Sequence, residues 1–573
     1  MLPASSHIRT FLRLCPLLIL GLGMPVQAQT TDSTVVPVPP TPPSACDEIT
    51  AEAFLDIGNV RAKIMNNGAL FWNGGANTYE VPKGGGVHAI FAANLWLGGM
   101  VDNDLRVAAT TYGPWDFWPG PVAPGDRTSE ACAAVDRIWE VGLDDLRADG
   151  LFAHERLSEW PVSLGAPFID VDGDGVYLPE NGDRPELLGD QQLWWVMNDA
   201  GGEHLLSNSE PLGVEVRATA FAFDVAGAVG NSTFYRYRIR NTTTHPITEA
   251  FASMWSDTDL GAPFDDYIGS DSTLGMGFSY NADNNDDNQY GSAPPAIGFT
   301  VLKRPVSSLG DAHACRYPDT NEVGFTNVMH YLGGGGVPGG PQDRTHFYNF
   351  MQSRWRDGAP LRMGSSGRDA PGIPTQFVYP GDPVTASFWS ERNNDGSGRQ
   401  SAPADRRFMS SLGPYCLAPG EEVELVVAIV WSRGSSNLDS VRKLREDVAY
   451  IHSIRDVILT PRELPGRSKE DVRLGSELPF AASVYPNPVG GAGGVGGGGA
   501  ANVRLSTPEA LEVSVTVFNA LGQRVHTAAE PGFVQAGGHS WTLPTADWAP
   551  GVYLVRISAG HAVTTRQLVV SAQ

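Results

Sequence analysis

Glycine and proline occur so often in this chain that they interrupt regular secondary structure at short intervals. This limits the fold more than any other feature of the sequence. Among 573 residues there are 66 Gly and 43 Pro, and short runs of alternating or β-branched residues recur between them. Such runs are typical of strands, because successive side chains of a strand point to opposite faces of a sheet. We therefore predict a mainly β protein, with a body made of several subdomains that resemble β-sandwiches.

The clearest strand candidates are residues 214–223, 233–241 and 422–431. The second alternates aromatic or aliphatic residues with arginine, which predicts one buried and one solvated face. The third follows the turn at Pro419-Gly420 and suits a late strand of a sandwich.

The main helix candidate is the segment 438–454, and Asn437 is a suitable N-cap for it. Its apolar residues recur at the spacing of one helix face, which predicts that this face is buried. They are Val441, Leu444, Val448 and Ile451.

Both ends of the chain differ from its middle. Arg9 and Arg13 precede a short apolar stretch and small residues that suit cleavage, which indicates a secretory signal peptide. No other segment approaches the roughly 20 apolar residues of a spanning helix, so no transmembrane segment is expected. The predicted organisation is a signal peptide (1–28), a Pro-rich linker (29–45), a β-rich body with acidic loops (46–460), a second linker (461–480) and a C-terminal domain (481–573).

The chain is strongly acidic, with 64 Asp and Glu against 40 Lys and Arg and a formal net charge of −24. Nucleic acid is excluded as a partner, because its phosphates need a basic surface. An acidic surface suits solubility and cation binding.

Four cysteines remain after the predicted signal peptide: Cys46, Cys132, Cys315 and Cys416. An even number in an oxidising compartment favours disulfides, for which three connectivities exist. No two of them have the spacing of a CxxC metal site, and a catalytic thiol is the least favoured alternative.

The strongest chemical motif is the loop 170–177, where Asp170, Asp172 and Asp174 occupy positions one, three and five and Gly175 position six. Carboxylates at this spacing converge on one point, which suits Ca²⁺ with its six to eight oxygen ligands at about 2.3–2.6 Å. The twelfth position is Asn rather than the Glu of an EF-hand, so Glu180 or Asp183 would have to complete the ligand shell. The alternative is a solvated Asp-Gly turn without a cation.

A second acidic group follows the strand-like run 251–255. It comprises Asp257 and Asp259, followed by Asp265 and Asp266. These carboxylates form a second candidate calcium site, and the alternative is a solvated acidic loop that binds no cation.

The last ninety or so residues combine four strand-like runs with turn signals. They contain Tyr485-Pro486-Asn487-Pro488, the sequence Leu521-Gly522-Gln523-Arg524-Val525 after a strand, a strand with Trp541, and Gly551-Val552-Tyr553-Leu554-Val555-Arg556. Together these elements resemble the C-terminal sorting domain (type A) of proteins exported by the type IX (Por) secretion system. The resemblance implies a small Ig-like β-sandwich, recognition of residues 481–573 by the type IX translocon, and a protein that is secreted or held on the outer cell surface after periplasmic transit.

The body resembles large uncharacterised surface or secreted proteins that end in this sorting domain. The resemblance rests on the Asp170 loop, on residues 193–199 and on residues 255–261 with 265–269. It implies a compartment and an architecture and no activity.

The sequence contains neither an HExxH zinc motif nor a GxSxG nucleophile elbow. Tryptophans beside acidic residues are compatible with a sugar cleft, where a glycosidase uses two carboxylates, and equally with a packed β core. We therefore interpret the protein as a calcium-stabilised structural or adhesive protein with a cell-surface or polysaccharide ligand. The alternative is a polysaccharide-acting hydrolase with an Asp/Glu pair.

Overall fold

The structure is a computed structural model of the chain. It describes residues 51–72, 74, 78–113, 115–122, 137–147, 155–286, 289–308, 320–322, 324–333, 336–368, 370–462, 481–485, 489–490, 500–507, 510–519, 523–535, 537–559 and 562–571. The predicted signal peptide, the first linker and nearly all of the second linker lie outside these residues, and the predicted domain boundaries stay predictions.

The body consists mainly of strands. They are β1 (Glu52–Leu55), β2 (Arg61–Met65), β3 (Tyr79–Glu80), β4 (Ala92–Val101), β5 (Asp104–Ala108), β6 (Trp118–Pro119), β7 (Trp139–Gly142), β8 (Phe168–Ile169), β9 (Arg184–Pro185), β10 (Gln191–Asn198), β11 (Val214–Ala222), β12 (Ser232–Asn241), β13 (Ile247–Asp257), β14 (Asp266–Asp271), β15 (Met276–Asn281), β16 (Asn285–Asp286), β17 (Gly291–Ser292), β18 (Ala296–Lys303), β19 (Val306–Ser308), β20 (Thr320–Glu322), β21 (Phe325–Leu332), β22 (Arg406–Leu417) and β23 (Glu422–Ser432).

Helices are few and mostly short. They are α1 (Leu143–Arg147), α2 (Glu155–Ser158), α3 (Arg344–Met351), α4 (Asn437–Ser453) and α5 (Arg455–Ile458), with 3₁₀ turns at Val162–Leu164 and Pro179–Asn181. No helix among the described residues has the length and apolar character needed to cross a membrane.

Two antiparallel sheets organise the body. The larger has nine strands in the order β14-β15-β18-β23-β12-β11-β10-β6, with β7 also paired to β10, and the smaller has five in the order β21-β22-β13-β4-β5. The largest apolar core draws side chains from both sheets, including Trp195 and Tyr235 from one and Trp96 and Trp255 from the other. The prediction of a mainly β body that resembles a sandwich is confirmed.

Strand β23 shows why its sequence is apolar without interruption. Leu425, Val427 and Ile429 belong to the core between the sheets. The alternate residues, such as Val426 and Ala428, belong to a second core on the opposite face of the larger sheet. A central strand buried on both faces needs apolar residues at every position.

Helix α4 covers that opposite face. Its four predicted core residues are buried in the second core. The predicted N-cap is wrong by one residue, because the Ser436 side chain accepts the hydrogen bond from the backbone N–H of Asp439 at 3.1 Å, whereas Asn437 is already helical.

The arginine face of β12 is less solvated than its alternation suggests. Arg236 donates to Glu186 at 2.5 Å and to Glu424 at 3.1 Å, and its side chain is only 13% exposed. Charge pairing with Glu424 on the neighbouring strand β23, and with Glu186 just after β9, lets this face carry arginine while it is largely covered.

The C-terminal segment forms a two-sheet sandwich of its own. Its strands are β24 (Ala481–Tyr485), β25 (Val489–Gly490), β26 (Ala501–Thr507), β27 (Leu511–Asn519), β28 (Arg524–Val534), β29 (Gly537–Leu543), β30 (Gly551–Ala559) and β31 (Ala562–Ser571). They form a three-stranded sheet, β24-β26-β29, and a five-stranded sheet, β25-β31-β30-β27-β28. Both sheets contribute to one apolar core, which includes Val503 and Val555.

Candidate functional site

The first candidate site is the loop between the short strands β8 and β9. These strands pair antiparallel, Ile169 with Arg184, so the two ends of the loop are held together. Gly173 and Gly175 have φ of +74° and +78°, which only glycine adopts without strain, and this allows the tight turn.

The structure brings four carboxylates of this loop together. Asp170, Asp172, Asp174 and Asp183 each offer one oxygen, and these oxygens lie within 4.8 Å of one another. Asp183 is buried and fixes the geometry, since its carboxylate accepts from the backbone N–H of Val171 at 2.8 Å and from that of Leu178 at 2.9 Å.

Glu180 is exposed and lies outside this group, so Asp183 rather than Glu180 is the fourth carboxylate. The loop backbone donates to the three other acids, for example Gly175 N–H to Asp170 at 2.9 Å and Val176 N–H to Asp174 at 2.8 Å. These hydrogen bonds hold the acids in place without neutralising their charge.

The second candidate site lies at the end of β13 and the start of β22. Asp257, Asp259 and Asp405 each place an oxygen within 4.8 Å of the others. Arg407 lies beside them, with Nε 3.1 Å from Asp257 and Nη1 2.7 Å from Asp405. The single positive charge of the Arg407 guanidinium therefore faces three carboxylates.

Burial makes the charged forms of these acids costly. It raises the pKa of Asp257 to about 6, against the attraction of Arg407. Burial, together with the charges of Asp257 and Asp405, raises the pKa of Asp259 to about 8. Carboxylates in such surroundings need a proton or a cation to be accommodated. Among the described residues, Oδ1 of Asp405 and Oγ1 of Thr258 are buried without a hydrogen-bond partner.

Asp265 and Asp266 are not part of this group of three. Asp266 is fully buried and accepts the backbone N–H of Leu260 at 3.0 Å, so it holds the turn that follows β13. Burial and the nearby Asp286 raise the pKa of Asp265 to about 6.

Sequence reasoning missed Asp405. It lies outside any acidic motif and reaches the site because β22 pairs with β13, which places Arg407 opposite Asp257. Only the isolated pattern Asp405-Arg406-Arg407 at the start of a strand-like run offers a local signal.

The predicted disulfides lie largely outside the described residues, which contain only Cys416 of the four cysteines. Cys416 is buried on β22. The pairing stays a prediction.

Residues 483–571 match the family of secretion system C-terminal sorting domains. The chain thus ends in a type IX sorting domain, and the predicted recognition is confirmed for this segment. A protein with this tail is secreted or displayed on the outer surface of the cell.

No curated protein matches the sequence. Similar solved structures include a polysaccharide lyase (11% identity, TM-score 0.16, covering 62% of this chain and 34% of the other). Dimeric latent PorU from Porphyromonas gingivalis is a second, with 12% identity and a TM-score of 0.14; the match covers 67% of this chain and 32% of that protein. A β-glucosidase from Listeria innocua in complex with glucose is a third, with 17% identity and a TM-score of 0.13; the match covers 16% of each chain. The chain thus spans about a third or less of each of these proteins, and TM-scores this low do not indicate a shared fold.

Proposed function

We propose that this secreted protein is a structural or adhesive component of the cell surface whose body is stabilised by bound Ca²⁺. The proposal rests on the convergence of four carboxylates, with one oxygen of each within 4.8 Å of the others, on a loop whose ends pair as strands β8 and β9. The four residues are Asp170, Asp172, Asp174 and Asp183. Four carboxylates this close repel one another in the absence of a cation, and hard oxygen donors are the ligands that Ca²⁺ prefers.

The Asp257, Asp259 and Asp405 group supports a second position for the same ion. It lies where two neighbouring strands of the smaller sheet end and begin. A divalent cation there would balance the charge that Arg407 leaves uncompensated and would fix the strand ends to each other. Asp265 and Asp266 would support this site through the adjacent turn rather than bind the ion.

The tail supports the location in this proposal. Residues 481–573 would engage the type IX translocon, and the body would then be released or retained at the surface. The hydrolase alternative is not proposed, because most of the tryptophans that suggested a sugar cleft are core residues. Those buried are Trp96, Trp194, Trp195, Trp255, Trp355 and Trp389.

Thermal unfolding with Ca²⁺ and with chelator tests the first site. A cation that binds only the folded state stabilises it by about 2.7 kcal/mol at one hundred times its dissociation constant. Chelation should lower the Tm of the wild type, and Asp172→Ala should remove the part of that response that comes from the Asp170 loop.

The matched control is Asp395→Ala. Asp395 is also an acid in a tight exposed turn, where it accepts the N–H of Ser397 at 2.8 Å, but it belongs to neither carboxylate group. This variant should keep the full chelator response. A wild type whose Tm ignores chelator, with Asp172→Ala at least as stable, would end the calcium proposal for the loop.

A further inference from the structure

Three irregularities in neighbouring strands coincide in the smaller sheet. The register of β13 against β22 shifts between Ile247 and Ala252, and the register of β21 against β22 shifts between Phe325 and Asn327. Gly413, on β22 between them, has φ of +149°. Bulges of this kind bend strands and turn side chains to new directions, and they are frequent beside functional sites.

A pocket of about 400 Å³ opens at this place. Its size lies within the range of about 300–1,000 Å³ that is typical of small-molecule sites. Each of the three irregular strands lines it, and the segment that follows helix α3 contributes Gln352 and Arg354.

The irregular backbone is held in place by specific contacts. Glu249 adopts a left-handed φ of +48°, which is rare for a residue other than glycine, and its carbonyl accepts the hydroxyl of Tyr348 at 2.7 Å. The rings of Phe251 and Tyr348 meet edge to face, with centroids 5.7 Å apart. Strained backbone that is secured by its surroundings is characteristic of ligand sites.

The lining has the chemistry of a site for neutral polyols. Glu249 and Arg354 bring opposite charges, so the lining has no excess charge to attract an ion. The amides of Gln352 and Gln376 can both donate and accept, as sugar hydroxyls do, and the two rings offer apolar surface for C–H faces.

Asn327 adds a buried acceptor. It is 2% exposed, and its amide donates to the carbonyl of Met351 at 2.8 Å. Its Oδ1 has no hydrogen-bond partner among the described residues. A buried acceptor without a partner is costly, and a ligand hydroxyl would satisfy it.

We propose that this pocket, bounded by Glu249, Phe251, Asn327, Tyr348, Arg354 and Gln376, binds a neutral saccharide unit of a glycan. The inference rests on the adhesive role within the proposed function and gives that role a site and a ligand class.

The test uses the purified full chain and saturation-transfer NMR with maltotriose, cellotriose, xylotriose and mannotriose. Trigalacturonic acid and a capped neutral tripeptide serve as charged and non-sugar probes. At least one neutral trisaccharide should bind, and Gln376→Ala and Arg354→Ala should each weaken its binding at least tenfold. Both residues are exposed, and the backbone carbonyl of Gln376 keeps its bond to Val328 N–H in the variant, so neither change should unfold the protein.

The matched control is Gln400→Ala, an exposed glutamine outside the pocket, which should bind like the wild type. The proposal is overturned by binding of none of the neutral trisaccharides, by binding of the acidic sugar or the peptide alone, or by unchanged binding in both pocket variants. Thermal unfolding of the same samples with Ca²⁺ and with chelator distinguishes this proposal from the calcium proposal. The calcium response of the Tm does not depend on the saccharide, so either proposal can fail while the other stands.

Discussion

The ring of His204 and the carboxylate of Asp199 lie 3.8 Å apart, and both side chains are fully buried. Nε2 of the ring lies 2.7 Å from the carbonyl oxygen of Asp199, and Nδ1 lies 2.8 Å from that of Val107. Carbonyl oxygens only accept, so the ring donates to at least one of them, and its tautomer decides which. Asp116, 4.0 Å from Nδ1, is a second buried carboxylate beside it.

His204→Gln should lower the free energy of unfolding by about 1–3 kcal/mol, because it removes a fully buried ring that lies within hydrogen-bond distance of two buried carbonyl oxygens. Denaturant unfolding measures this. The control is His245→Gln, which breaks an exposed pair with Asp102 at 3.1 Å and should cost at most about 1 kcal/mol. Equal stability of the two variants would show that the buried ring contributes no more than the exposed pair does.

Glu391 should make stability depend on pH. It is fully buried, with Arg406 Nη2 at 2.5 Å, and burial, opposed by Arg406, raises its pKa from 4.5 to about 7. The folded state then holds its proton more tightly than the unfolded state does. The stability from this group is present below pH 4.5 and is lost as pH rises through about 7, by on the order of 3 kcal/mol.

The measurement compares the free energy of unfolding of wild type and Glu391→Gln at pH 4 and pH 8. At pH 4 the carboxyl is protonated in the wild type too, so the two proteins should differ little. Between pH 4 and pH 8 the wild type should lose on the order of 3 kcal/mol more stability than the variant. A wild-type minus variant difference that stays constant with pH would contradict the raised pKa.

Gly413→Ala should destabilise the smaller sheet. A Cβ there would lie 2.5 Å from Cδ1 of Phe251 and 2.7 Å from the carbonyl oxygen of Ala250. Gly420→Ala is the control, because Gly420 also has positive φ but no atom within 4 Å of such a Cβ. Gly413→Ala should cost about 1–3 kcal/mol more than the control in denaturant unfolding. Equal losses would mean that the crowding is relieved at no cost.

Deletion of residues 481–573 should hold the body in the periplasm without unfolding it, because the body has its own cores. Cell fractionation gives the location, and the Tm of the purified truncated chain reports its folding. Phe533→Ser, at an 80% exposed position of the tail, is the control and should reach the surface normally. Surface display of the truncated body at the wild-type level would refute a role of this tail in export.

Features determined by neighbours in sequence could be predicted. The apolar run of β23 predicts a strand, and the spacing of the acids in the Asp170 loop already defines the geometry of that loop. The sequence alone does not identify the N-cap of α4, because Ser436 and Asn437 are both good caps and only the extended backbone of Ser436 distinguishes them.

Features that depend on strand pairing could not be predicted. Asp405 meets Asp257 only through the register of β13 and β22. The pocket arises from register shifts in three strands far apart in the chain, and Glu249 gives no local sign of its left-handed backbone. Non-local pairing of this kind leaves no period in the sequence.

Strand β31, the last of the tail, lies inside its sheet: Val570 pairs in parallel with Val489 of β25, and β30 flanks it on the other side. Without β31, β25 would lose the one strand that pairs with it among the described residues, and β30 would become an open edge. During synthesis the sandwich therefore cannot close until residues 562–571 have left the ribosome. A chain clipped before residue 562 would therefore expose unpaired strand edges, which are the parts of a sheet most prone to pair with another chain.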